Sequence, residues 1–307
     1  MTPDDRAEVC DWVGLRDALA AFVRAEQGTQ GQRHIRQMHW YAACRLVLEG
    51  GFHPDAVTPR PPFMVARRGR SHLLHYEPES ARGGEATLFG GLKTKDVDVV
   101  VEIPGVGPCL AVSMKGTLNA FRNLTNRLEE AVGDCTNIHI AYPALVYGFL
   151  HLLRANRAGP VPSASPFLEP DPNGAVQHKD LAIDAGDQVA DFIRNYGQAM
   201  ARLTGRRDLR NDVSRYEAIG LVLVSPYPGD IGSVVPGYPE SDSNLCLSGF
   251  FDTLYTQYDL RFVYGAANLR GRTQRLTWHP ESPALQGPLA REFSPRVASG
   301  GDDPSPR

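Results

Sequence analysis

The stretch from Lys95 to Asp134 constrains the fold of this 307-residue chain more than any other. It opens with Lys-Asp-Val-Asp-Val-Val-Val-Glu-Ile, passes through a Pro/Gly-rich turn at 104–108, and reaches the apolar run Leu-Ala-Val-Ser-Met-Lys. Short apolar runs bounded by such turn residues are typical of strands. We therefore predict strands over about 96–103 and 109–115, joined as a tight antiparallel hairpin. A helix from Thr117 to about Val132 follows, with the threonine as its N-cap.

Hydrophobic periodicity predicts further elements on both sides of this stretch. The expected helices span about 4–25, 33–48, 143–154, 184–203 and 247–258. The expected strands span about 63–66, 71–76, 137–141, 218–225 and 260–264, and the Gly- or Pro-rich segments 79–92 and 156–181 are predicted loops. This mixture predicts an α/β fold with a central mixed β-sheet flanked by helices.

A single domain over about 1–280 would accommodate these elements. Its N-terminal helical part would cover 1–60, and its core would cover about 95–155 and 184–265. The last part of the chain is rich in Pro, Ser, Gly and charged residues, which favours a disordered tail over 281–307.

Composition excludes several classes of protein. The net charge of −3 shows no overall basicity, so any contact with nucleic acid depends on a local basic groove. No apolar run approaches the roughly 20 residues that span a bilayer, and the first residues show no signal-peptide pattern. We therefore expect no membrane partner. The chain also lacks a Gly-Lys-Ser/Thr phosphate loop, so we expect no nucleotide cofactor. The cysteines are scattered, which indicates a reducing cytoplasm and no zinc site or disulfide frame: Cys10, Cys44, Cys109, Cys135 and Cys246.

Candidate chemistry lies on the strand pair and the helix after it. Asp98 begins the first strand, and Ser113 and Lys115 share one face of the second strand. Glu129 lies at the edge of the predicted buried stripe of the helix, where it could point back to the sheet. Carboxylates that hold a divalent cation, with a lysine beside them, suit the hydrolysis of a phosphodiester. Two alternatives remain open: Asp98 and Lys115 could form an ordinary cross-strand ion pair, and Asp96 is a rival for the role of Asp98.

These residues resemble the PD-(D/E)xK nuclease superfamily, whose pattern is an acid, a hairpin, and then acid-x-Lys on the next strand. Ser113 stands at the middle acid, as in a subgroup of type II restriction endonucleases that have Ser-x-Lys and then a Glu on the next helix. Here thirteen residues separate Lys115 from Glu129. The resemblance implies a restriction-endonuclease-like core, a catalytic group of Asp98, Ser113, Lys115 and Glu129, and Mg²⁺ as the cofactor, held by Asp98 and Glu129. Glu49 is the candidate for a further metal ligand from an N-terminal helix.

The expected partner is double-stranded DNA, and a palindromic duplex site favours a homodimer. The candidates for contacts with DNA are Asn119, Arg122, Asn123, Asn126, Arg127, Arg206, Arg207 and Arg210. Their alternative role is that of plain solvated surface. The histidines show no ligand spacing, and His39 is expected to be an ordinary core or surface residue. The alternatives to a restriction enzyme are a nuclease effector of another antiviral system, activated by a partner, and a non-catalytic nucleic-acid-binding protein with a degenerate nuclease fold.

Overall fold

The computed structural model describes residues 12–24, 34–162, 165 and 167–298. In chain order, its strands are β1 (Val57–Thr58), β2 (Phe63–Arg68), β3 (Ser71–Tyr76), β4 (Ala86–Phe89), β5 (Thr94–Val97), β6 (Val99–Ile103), β7 (Gly107–Thr117), β8 (Val146–Arg154) and β9 (Ala218–Val224). Its α-helices are α1 (Leu15–Val23), α2 (Arg36–Leu48), α3 (Leu124–Ala141), α4 (Asp191–Arg202), α5 (Leu247–Tyr258) and α6 (Arg270–Thr273). A π-helical segment, Asp259–Tyr264, continues α5, and short 3-10 turns occupy several loops.

A five-stranded mixed sheet forms the centre of the molecule, with the strand order β1-β6-β7-β8-β9. The hairpin partners β6 and β7 are antiparallel, and β8 pairs in parallel with both β7 and β9. Helix α3 makes the crossover between β7 and β8, as a parallel connection requires. Two separate ribbons, β2–β3 and β4–β5, lie outside this sheet.

Helices cover both faces of the central sheet, which confirms the predicted α/β class. One hydrophobic core lies between the sheet and α1, α2 and α5, and it includes Phe22, Met38 and Phe251. The other core lies between the sheet and α3 and α4, and it includes Ile138 and Ile193. All nine residues of β8 are buried, because this strand has strands on both sides and helices on both faces.

Several predicted elements are confirmed. The two strands around the basic turn, the two strands of the hairpin, the strand at 218–225 and the helix at 247–258 all exist within two or three residues of their expected bounds. Helix α2 matches the expectation for 33–48, and α1 matches the later part of 4–25. Residues 4–11 and 25 of that first helix, and Arg33, lie outside the described residues.

The assignments between 117 and 154 are wrong in three places. Strand β7 extends to Thr117, whose Cα pairs with Leu153, so the helix begins later, at Leu124. The expected strand at 137–141 is the last turn of α3. The expected helix at 143–154 is β8, because a run that is buried on both faces of a sheet has no alternation to separate it from a buried helix.

Smaller corrections concern four other segments. Strand β4 lies within the expected loop at 79–92, α4 begins at Asp191 rather than near 184, and the expected strand at 260–264 is π-helical. The tail prediction is wrong for 281–298, where Ser282, Ala284 and Phe293 are buried. This segment packs beside α2, and the Arg296 amide donates to the Leu48 carbonyl oxygen. Residues 299–307 lie outside the described part of the chain.

Within the described residues, no helix is both long enough and apolar enough to cross a membrane. Cys109, Cys135 and Cys246 are free thiols, Cys44 is buried, and Cys10 lies outside the described residues.

Candidate metal centre

Asp98 lies at a bend between β5 and β6, where the chain passes from the β4–β5 ribbon into the central sheet. Val97 packs on the core beside α3, whereas Val99 packs on the core beside α2, so the bend breaks the strand alternation. The Met114 backbone amide donates a 2.6 Å hydrogen bond to Asp98 Oδ2. The other oxygen, Oδ1, lies 3.4 Å from Nε2 of His39. The bend therefore places a buried carboxylate, 6% exposed, beside α2.

His39 lies in the buried part of α2 and is 5% exposed. Its Nε2 has no hydrogen-bond partner, although Asp98 Oδ1 is close. Burial, together with the neighbouring charges of Arg36 and His34, lowers the pKa of His39 to about 3. The imidazole is therefore neutral at neutral pH, which is the form that binds metal ions.

Glu85 precedes β4 at the open end of the β4–β5 ribbon. Because Ala86 pairs with Val97, the ribbon register brings Glu85 next to Asp98. One carboxylate oxygen of Glu85, Oε1, is buried without a hydrogen-bond partner. Burial raises the pKa of Glu85, and the negative charges of Asp98 and Asp96 raise it further.

His39, Glu85 and Asp98 each offer one ligand atom, and these atoms lie within 4.8 Å of one another. No other group of three or more His, Cys, Asp or Glu residues with this spacing occurs among residues 12–24, 34–162, 165 and 167–298. Buried polar atoms are nearly always satisfied in folded proteins. A divalent cation would satisfy the two orphaned atoms, His39 Nε2 and Glu85 Oε1, and would offset the carboxylate charge. The residues therefore fit a metal ion.

Two lysines place positive charge near these carboxylates. Burial raises the pKa of Asp98 to about 6, and the Met114 amide, Lys115 and Lys95 act in the opposite direction. Lys115 is half-buried near the end of β7, and Lys95 Nζ lies 2.6 Å from Asp134. The close contact of the Asp98 carboxylate is thus with an imidazole rather than with Lys115.

The cluster occupies the edge of the sheet at which the parallel strands β7 and β8 end. Open α/β sheets bind their ligands at this carboxyl edge. Two carboxylates and an imidazole can hold a cation there, and the ammonium group of Lys115 can contact an anion such as a phosphate. The arrangement is chemically suited to act on a phosphate ester.

The structure places Ser113 and Asp96 outside this cluster. Ser113 Oγ and the hydroxyl of Tyr147 share a buried hydrogen bond of 2.7 Å. Asp96 is exposed, and its Oδ1 accepts a 2.6 Å hydrogen bond from Thr87. Of the two rival acids, Asp98 is therefore the one that lies in the cluster.

Glu129 and Glu49 also lie outside the cluster, contrary to expectation. Glu129 is exposed on α3, because the helix starts at Leu124 and its buried stripe runs through Ala131, Cys135 and Ile138 instead of the predicted positions. Glu49 closes α2. Its Oε2 lies 2.6 Å from Arg45 Nε, and its Oε1 accepts a 3.0 Å hydrogen bond from the Ser294 amide. Glu49 therefore anchors the C-terminal segment.

The candidates for DNA contact separate into exposed and buried groups. The exposed ones are Arg122, Asn123, Asn126, Arg207 and Arg210. Asn119 and Arg127 are half-buried, and Arg127 pairs with Glu130 at 2.9 Å. Arg206 is 1% exposed and lies 3.2 Å from Glu217, so the prediction that it contacts DNA is wrong. It belongs to a buried ion-pair network at the start of β9.

Sequence reasoning missed two members of the cluster. Glu85 lay in a stretch assigned as a loop, although the alternating Ala-Thr-Leu-Phe that follows it is a weak strand signal. His39 lay on the apolar side of α2, where a histidine is normally a core residue. Only the packing of α2 against Asp98 shows that its Nε2 has no hydrogen-bond partner.

Comparison with known proteins adds no relative: no protein-family model matches the chain, no curated protein matches it, and no solved structure matches it.

Proposed function

We propose that this protein is a Mg²⁺-dependent endonuclease that hydrolyses phosphodiester bonds of double-stranded DNA, as type II restriction endonucleases do. The main support is the convergence of Glu85, Asp98 and Lys115 at one edge of the sheet. The resemblance to the PD-(D/E)xK superfamily predicts an acid and a lysine on a hairpin followed by a helix, and β6, β7 and α3 have that order. Glu85, rather than Glu129, supplies the second carboxylate.

Each residue has a distinct role in this proposal. Asp98 and Glu85 hold the cation, and the Met114 amide fixes the orientation of the Asp98 carboxylate. When bound, Mg²⁺ supplies charge stabilisation at the phosphate and lowers the pKa of a water molecule. The Lys115 ammonium group contacts the scissile phosphate or orients the attacking water. Water attacks phosphorus, the bond between phosphorus and the 3′ oxygen breaks, and the 3′ oxygen takes up a proton to leave as a hydroxyl; the family resemblance predicts these 5′-phosphate ends.

DNA would bind along exposed basic and amide side chains, of which those at the start of α3 follow the carboxyl end of β7 and those after α4 precede the amino end of β9. Arg122, Asn123 and Asn126 precede or begin α3, and Arg207 and Arg210 follow α4. Arginines position a duplex through its phosphates. Cuts in both strands of a palindromic site require two active sites related by a two-fold axis, so the proposed active species is a homodimer.

Plasmid cleavage with Mg²⁺ tests the proposal. The wild-type protein should cut supercoiled DNA, whereas Asp98→Ala and Lys115→Ala should not. Lys93→Ala is the matched control, because Lys93 is exposed on the tip of the β4–β5 ribbon. Discrete bands would support a restriction enzyme, and a smear would support a relaxed nuclease effector. Intact DNA with every divalent metal would refute the enzymatic proposal and leave a non-catalytic nucleic-acid-binding protein.

A further inference from the structure

We infer that His39 is a direct metal ligand, and that the mixed nitrogen–oxygen site it forms with Glu85 and Asp98 selects a first-row transition cation such as Mn²⁺ over Mg²⁺. The inference rests on the proposed function, since it concerns the same metal centre. It goes further by naming an additional ligand and by changing the preferred ion.

The position of His39 is the first support. The residue is 5% exposed, and its Nε2 has no hydrogen-bond partner. A histidine that serves only to fill a core normally uses both ring nitrogens or leaves one at the surface. Here the unpartnered nitrogen lies 3.4 Å from Asp98 Oδ1. The imidazole therefore faces the carboxylate without a hydrogen bond between them.

The spacing of the three atoms is the second support. Ligand atoms about 2.1 Å from one ion lie roughly 3 to 3.5 Å apart when they are adjacent in its coordination shell. The 3.4 Å separation of His39 Nε2 and Asp98 Oδ1 has this size, and the whole set lies within 4.8 Å. One ion can therefore contact all three residues after small side-chain adjustments.

The chemistry of the ligands determines the preference. Mg²⁺ is a hard cation that binds oxygen ligands and retains several waters. An imidazole nitrogen suits first-row transition ions, and Mn²⁺ accepts both carboxylate and imidazole ligands. A site of two carboxylates alone would give little reason to prefer Mn²⁺, so the preference depends on His39.

Mn²⁺ binding to the full-length protein without DNA tests the inference directly. Titration followed by electron paramagnetic resonance should give a site that excess Mg²⁺ displaces poorly. Pulsed resonance should detect a directly coordinated nitrogen, and ¹⁵N-labelling of histidine should change that signal. His39→Gln should remove the signal and weaken Mn²⁺ binding by at least about tenfold, because even loss of a group that only supports a ligand typically costs that much.

His53→Gln is the matched control, because His53 is outside the cluster and pairs with Asp55. It should leave both the Mn²⁺ affinity and the nitrogen signal unchanged. If His39→Gln does not fold, the labelled wild-type protein and the Mg²⁺ competition still decide the matter. Bound Mn²⁺ without histidine nitrogen, equal displacement by Mg²⁺, or no Mn²⁺ binding would each overturn the inference.

The same experiment separates this inference from the nuclease proposal. A histidine-coordinated Mn²⁺ in a protein that leaves DNA intact would support the ligand assignment and refute the nuclease. DNA cleavage with Mg²⁺ in a protein that lacks nitrogen coordination would do the reverse.

Discussion

Glu85 and Asp98 meet at the open end of the β4–β5 ribbon, one position beyond the registered pair Ala86–Val97. Two carboxylates at this spacing repel each other, and the charge of Asp98 contributes to the raised pKa of Glu85. Without a cation, the arrangement costs free energy that the surrounding fold must offset. Groups with shifted pKa values in this kind of setting are concentrated at functional sites. The stability of the metal-free protein should therefore improve when one of these charges is removed.

Asp98→Asn should stabilise the metal-free protein at pH 7.5. The folded-state pKa of Asp98 is raised to about 6, so its favourable contribution is full below the unfolded pKa and is lost as the pH rises through about 6. Asparagine removes that loss and keeps an oxygen for the Met114 amide. The expected gain is up to about 3 kcal/mol at pH 7.5 and about 1 kcal/mol at pH 4.5.

Chemical denaturation in chelator at the two pH values measures this gain. Asp96→Asn is the matched control, because Asp96 is exposed, and it should change the stability by less than about 0.5 kcal/mol. A variant at position 98 that is equally or less stable than the wild type at pH 7.5 would contradict the prediction. The same variant should bind metal weakly, so stability and metal binding should change in opposite directions.

Glu85→Gln should reduce the rate of DNA cleavage by at least about 100-fold, because loss of a metal ligand removes several kcal/mol of stabilisation. Glu129→Gln should stay within about twofold of the wild type, since Glu129 is exposed on α3. Single-turnover cleavage of a plasmid measures both rates. The opposite ranking would show that Glu129, as the sequence pattern predicts, supplies the second carboxylate.

Local patterns explain which parts of the site were predictable. Asp98 and Lys115 lie at the ends of two β-branched or apolar runs bounded by Gly and Pro. Such runs predict a hairpin from the local sequence alone. Glu85 and His39 reach the same place only through tertiary contacts. The β4–β5 ribbon must fold back, and α2 must pack against β6, before these residues meet Asp98.

The fold shows the same division. In hairpins and amphipathic helices the apolar residues recur with a period that identifies the element. Val146–Arg154 is apolar on both faces, so its sequence has no such period. The sequence also did not show which residues of α3 are buried. Ala120 adopts a left-handed conformation with φ 53°, and the helix starts only after it. That delay moves the buried stripe and leaves Glu129 in solvent.

Arg206→Ala should destabilise the protein by about 3–5 kcal/mol, because it leaves the buried carboxylate of Glu217 without one partner. Arg207→Ala and Arg210→Ala should leave the stability unchanged. If their side chains contact phosphates, each should lower the slope of log affinity for DNA against log salt by about 1. Denaturation curves and salt titrations separate the two effects. A stable Arg206→Ala protein with weakened DNA binding would contradict the structural role.

Ser113→Ala should lower stability but not abolish cleavage. Burial raises the pKa of Tyr147, so its phenol stays protonated and can donate to Ser113 Oγ at 2.7 Å. Removing one member leaves the other buried without its partner, at a cost of about 1–3 kcal/mol. Ser113→Ala combined with Tyr147→Phe should therefore cost less than the sum of the two single changes. Cleavage by Ser113→Ala should stay within about threefold of the wild type, because Ser113 lies outside the cluster of His39, Glu85 and Asp98. A stable Ser113→Ala protein without cleavage activity would instead show that the serine hydroxyl takes part in the chemistry.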